Sequence, residues 1–145
     1  MSQKKNVSAT FGSLTLSKAT QLRTGSLSSV NIVTTPTPVT LTTTATTVTA
    51  AQVLSGLVVQ TPASALTVTL PAAAVFVSAV TGSQVGDTFR FTFVNASSAN
   101  AGTVAVDSTT GTLVGSGTVA TSSSATFVFR LTTVGSSPTY TVYRA

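Results

Sequence analysis

The sequence predicts an all-β domain, a sandwich or barrel, and three observations carry that expectation. Its 145 residues include 31 Thr, 20 Ser and 21 Val, almost half the chain. Thr and Val are β-branched, stiff at χ1, and favour pleated, half-buried surfaces. Several segments alternate apolar and polar residues with the period of a strand. Gly/Ser turns separate these segments, and no long amphipathic helix intervenes. With 42% apolar residues and positive mean hydropathy, the chain is unlike a disordered one, which pairs low hydrophobicity with high net charge. A single domain of this length buries roughly 70% of the surface its unfolded chain exposes.

Taken in order, residues 1–30 carry Lys4, Lys5, Lys18 and Arg23 with no acid, which is most of the net charge of +5. Only Ala9–Phe11 and Leu14–Leu16 look strand-like there. The region reads either as an extended basic arm or as a frayed terminus without a role. Residues 31–48 are Thr/Pro-rich and read as a linker passing into a first strand, with Val39, Leu41 and Val48 to bury. Pro36 and Pro38 suit an edge strand.

Residues 49–145 hold the domain proper. Thr49 to Gly56 reads as one helical turn with a Thr cap and a Gly stop. Leu57–Gln60 is a strand, followed by a turn at Thr61–Pro62. Ala65–Leu70 alternates and places Leu66, Val68 and Leu70 on one face. Pro71 sits where a helix begins, so Ala72–Val80 is a short apolar helix able to lid the core. In Asp87–Asn95, Phe89, Phe91 and Phe93 face one way and Thr88, Arg90 and Thr92 the other. Asn95–Gly102 is a loop. Short strands follow at Thr103–Val106 and Thr112–Val114. Ala125–Thr132 buries Phe127, Phe129 and Leu131, and Thr139–Arg144 closes the chain. No fixed-period repeat is evident, which argues against a solenoid or propeller.

Composition excludes most chemistry. There is no His, Cys or Glu, hence no imidazole base, thiolate nucleophile, disulfide or ordinary zinc site. Asp87 and Asp107 are the two side-chain carboxylates, and both lie by turn glycines where Asp favours local backbone bonds. No Gly-x-Ser-x-Gly elbow or phosphate loop occurs. The expectation is no enzyme, no cofactor and no metal. No membrane span or signal peptide is expected either, since the longest strictly apolar run is Ala72–Val77.

The residues left for interaction are Lys4, Lys5, Lys18 and Arg23 on the arm, and Arg90 and Arg130 on the polar faces of aromatic strands. A lone outward Arg commonly gives solubility or shields an edge. Four arm charges without interleaved aromatics are a weak footprint for nucleic acid. Asn6-Val7-Ser8 and Asn95-Ala96-Ser97 match the N-glycosylation pattern, one that Ser-rich sequences produce by chance. Charged residues are only 6%, against roughly 25% in an average domain. A surface coated with Ser, Thr and Ala has little electrostatic defence against association, which implies a homo-oligomer, the arm reaching to a neighbour.

From about Thr49 onward the text resembles a domain in structural proteins of tailed phages and large DNA viruses. The resemblance lies in Thr49–Gln60, the Leu66–Pro71 step, Gln84–Phe91, Val94-Asn95, Thr112–Gly115 and the closing Tyr140–Arg144. It implies a β-sandwich, often jelly-roll-like and trimeric, displayed on a capsid or fibre, with no catalytic residues to carry over. The expected fold is thus an antiparallel, jelly-roll-like β-sandwich with one or two short helices and an extended N-terminal arm. The expected function is a virion structural protein, a capsid decoration, cement or minor capsid protein that contacts the major capsid protein. One alternative is a fibre-tip or host-attachment module whose exposed loops, Asn95–Gly102 among them, meet a glycan or receptor. Another is a carbohydrate-binding domain of a cellular adhesin.

Overall fold

The computed structural model describes residues 38–41, 46–61 and 64–145. The arm 1–30, the linker through residue 37 and Pro62 of the expected turn lie outside these described residues.

Among the described residues, ten strands and two short helices follow one another: β1 (Val39–Leu41), β2 (Thr46–Thr47), α1 (Ala50–Leu54), β3 (Leu57–Gln60), β4 (Leu66–Thr69), α2 (Ala73–Ala79), β5 (Thr88–Asn95), β6 (Gly102–Ala105), β7 (Gly111–Val114), β8 (Thr118–Val119), β9 (Ser123–Thr133) and β10 (Thr139–Arg144). They form a six-stranded sheet ordered β1-β3-β5-β9-β10-β7 and a four-stranded sheet ordered β2-β4-β6-β8. One core joins the sheets, with Val58, Phe91, Phe93, Phe127 and Phe129 from the larger and Val68, Val104 and Val119 from the smaller.

The antiparallel, jelly-roll-like pattern expected from the sequence is corrected: both sheets are mixed. From β1 to β9 each strand is followed by one in the opposite sheet. Through β6, a strand that leaves for the other sheet and comes back returns in its original direction. Accordingly β1, β3 and β5 run parallel to one another, as do β2, β4 and β6. Antiparallel pairing is confined to β5–β9, β9–β10 and β6–β8. The first six strands therefore wind as a coil, the arrangement the missing repeat argued against. Its period is irregular: Val39 pairs with Val58, 19 residues on, whereas Leu57 pairs with Thr92, 35 residues on. The second circuit is longer because it includes α2.

Local chemistry sets the elements. Thr49 and Gln52 form a reciprocal capping box at α1, worth about 1 kcal/mol for such a cap. Gly56 ends that turn at a φ of 85°, open to glycine at no steric cost. α2 begins one step later than expected. Ala72 is its N-cap and Pro71 lies before it, so the proline marks the approach and not the first turn. α2 does lid an aromatic cluster. The Phe76 ring centroid lies 4.4 Å from Phe129 and 5.6 Å from Phe89, and Phe129 stacks on Tyr140 at 4.5 Å. Removing such a buried ring costs about 3–5 kcal/mol.

The alternation read from the sequence holds in β4, where Leu66 and Val68 are buried, and in β5, where Phe91 and Phe93 are buried and Arg90 is exposed. β9 runs longer than expected, and β8 had no sequence signal because two residues cannot show a period.

Candidate functional site

The register brings two of the expected interaction residues onto one surface. In the β5–β9 pair, Thr88 lies opposite Arg130 and Arg90 opposite Val128. In β9–β10, Val128 lies opposite Tyr143 and Arg130 opposite Thr141. In β10–β7, Tyr143 lies opposite Val114 and Thr141 opposite Thr112. The outer face of the larger sheet thus carries two adjacent rows, Arg90–Val128–Tyr143–Val114 and Thr88–Arg130–Thr141–Thr112. Val114 is 47% exposed and Tyr143 38%. A cation at one end, an aromatic ring and an exposed valine at the free edge give this surface groups suited to apolar contact and Arg hydrogen bonding. Lys4, Lys5, Lys18 and Arg23 lie outside the described residues.

Tyr143 and Val114 escaped sequence reasoning, although parity held the signal. Tyr140 and Val142 are buried, so Tyr143 must point the other way. Arg144 has a different task. Its guanidinium Nη1 donates to the carbonyls of Ser116 and Thr118 at 3.1 and 2.5 Å, clamping the β7–β8 turn.

The carboxylates serve turns, as their positions implied. Asp107 Oδ1 accepts from the backbone N–H and hydroxyl of both Thr109 and Thr110 at 2.6–3.1 Å. The Thr109 hydroxyl, then that of Thr110, holds its pKa below the ordinary carboxylate value. Asp87 Oδ2 accepts from the Gln84 N–H at 2.9 Å. Among the described residues no three His, Cys, Asp or Glu side chains group to hold a metal ion. No helix among them is long and apolar enough to cross a membrane.

The Asn95–Gly102 loop is largely tied down. Asn95 is fully buried, and its Nδ2 donates to the carbonyls of Asn100, Val119 and Ala120 at 2.9–3.1 Å. Its Oδ1 accepts from the Ser97 N–H at 3.1 Å. The Ser97 hydroxyl accepts from the N–H groups of Ala99 and Asn100, and the Ser97 carbonyl from the N–H of Ser122. The Asn95 amide is therefore closed to a glycosylating enzyme in the folded chain, and Ala96, Ser98 and Ala99 are what the loop exposes.

A second buried amide sequence reasoning passed over is Gln60, which pairs with Asn95 across β3–β5. It is fully buried, and neither its Oε1 nor its Nε2 has a hydrogen-bond partner. Its Oε1 and the Phe93 ring occupy the space over Gly102, where an added Cβ would meet both at 3.0 Å.

No protein-family model matches the chain, and no curated protein or solved structure matches it.

Proposed function

We propose that the protein is a structural component of a virion, a capsid decoration, cement or minor capsid protein that acts without chemistry. It works as a homo-oligomer, a trimer as the sequence resemblance implies, stabilising the shell by packing against its own copies and the major capsid protein. The N-terminal arm supplies the attachment.

The observation that carries this reading is the outer face of the larger sheet. It offers Val114 and Tyr143 beside Arg90 and Arg130 on a chain with two acidic side chains in 145 residues. Such a surface lacks the dense mixed charge that keeps small domains apart. Burying it against protein yields roughly 25 cal/mol per Å² of apolar area. Asp107 and Asp87, both engaged in turns, offer no pair poised for acid–base work.

The test is deletion of residues 1–30 in a producing virus. The reading expects the truncated protein to fold but to be missing from purified particles, which then lose stability to heat or chelation. Particles that take up the truncated protein at normal copy number would remove the arm's role. Loss of adsorption with unchanged particle stability would favour the fibre-tip alternative.

A further inference from the structure

We infer that the outer face of the larger sheet docks a carboxylate-bearing segment of a different protein, gripped by Arg90 and Arg130 beside the apolar pair Val128 and Tyr143. The inference rests on the outer-face reading above and names the chemistry of what covers that face. Contact among copies is left to surfaces elsewhere.

The register sets the two cations close together. Arg130 lies opposite Thr88, and Arg90 stands two residues further along the same strand. Such diagonal neighbours are about 7–8 Å apart, within reach of one ligand for long side chains. Both arginines are exposed. Among the described residues neither guanidinium has a hydrogen-bond or ion-pair partner. Val128 lies between Arg90 and Tyr143 in one row. Tyr143 is diagonal to Arg130 in turn, two residues beyond Thr141. No acidic residue occurs anywhere in β5, β7, β9 or β10.

Charge decides the occupant. Seven Lys/Arg stand against two Asp/Glu, a net charge of +5, so every further copy brings more cations than anions. The N-terminal arm, the chain's own or a neighbour's, holds Lys4, Lys5, Lys18 and Arg23 with no acid. Asp87 and Asp107 accept hydrogen bonds inside their own turns. No part of this chain therefore supplies the carboxylates, and covering two guanidiniums without them is costly. A second protein brings the acid. Nucleic acid would bring phosphate, but it is held by many cations, and two on a face shared with Val128, Tyr143 and Val114 are too few. Arg beside Tyr is the composition of protein–protein contacts, and the guanidinium fork matches a carboxylate bidentately.

The full-length, isotope-labelled chain is titrated with a short capped peptide alternating glutamate and leucine. Amide and Arg Nε–H signals are followed by NMR, with light scattering alongside. The inference expects the peptide to shift the signals of Arg90, Val128, Arg130 and Tyr143. Combining Arg90→Gln with Arg130→Gln should weaken binding roughly tenfold or more, while circular dichroism and scattering mass match wild type. Arg90→Lys with Arg130→Lys keeps the charge but loses the fork, and should give an intermediate loss. No binding by the glutamate peptide, or equal binding by its glutamine counterpart, would overturn the inference. So would an oligothymidylate that shifts the same signals as strongly, which would make the face a general polyanion site. A lower scattering mass in the double glutamine variant would place a second copy on the face and overturn it too. A single-chain mass with peptide binding intact would instead sink the oligomeric reading and support this one.

Discussion

Replacing Gln60 by methionine should make the protein more stable. Gln60 sits on the inner face of β3, fully buried, with neither amide atom bonded. A buried donor or acceptor without a partner costs about 1–3 kcal/mol relative to its hydrated state. Methionine matches the length and unbranched shape of the glutamine and fills irregular space well. It should therefore avoid much of that cost without opening a cavity beside Phe93 and Gly102. The expected gain is about 1–2 kcal/mol, which in a domain of this size raises Tm by roughly 4–8 °C. Urea unfolding followed by circular dichroism reads it as a higher midpoint with an unchanged m value. Protein concentration must be held fixed, because an oligomer's stability depends on it. Gln60→Glu, by contrast, should destabilise strongly at neutral pH by burying a charge with no partner. A Gln60→Met protein less stable than wild type by 1 kcal/mol or so would refute the reasoning, since an amide that hydrogen-bonds is what loses stability on removal.

Asn95 makes the opposite case at the same level of the core. Asn95→Ala should cost about 3 kcal/mol or more, because it strips partners from the Asn100 carbonyl in the β5–β6 loop, from the Val119 and Ala120 carbonyls at the end of β8, and from the Ser97 N–H. The loss appears as a lower unfolding midpoint and faster amide exchange at Ser97. Tyr140 predicts alkaline sensitivity. Burial pushes its pKa up to about 12 from 10.0, so the folded form stays protonated where the unfolded form ionises. The associated stability is complete below pH 10 and is lost as pH rises toward 12, in total about 3 kcal/mol. Tyr140→Phe should remove that steep segment from a plot of stability against pH, while losing the bond that Tyr140 Oη accepts from the Asp107 N–H.

Local features were legible from the sequence wherever a period or a cap could be read. Phe89, Phe91 and Phe93 declared their shared face, Thr49 and Gly56 bounded α1, and Asp107 before Gly111 declared a turn. Strand direction was not legible. Parity within a strand says which residues are buried and nothing about whether the next strand returns in the same sheet or crosses to the other. Short Thr/Val strands joined by Gly/Ser turns read equally well as hairpins, so parallel pairs such as Leu66–Gly102 were invisible. The outward position of Arg90 and Arg130 was legible because each lies on the polar face of an aromatic strand. Their convergence with Tyr143 and Val114 depends on the β9–β10–β7 register, which no local pattern encodes. Gln60 was read as the last residue of its strand, but Leu57-Val58-Val59 is an apolar run without alternation, so no local pattern showed that the glutamine faces inward.

The claim beneath all of this is that a chain with so few ionic groups exists to be covered by other copies of protein. Sedimentation equilibrium of the purified full-length chain across the micromolar range tests it most directly. A constant mass of three chains is the result expected, whereas a single-chain mass at every concentration would contradict the account.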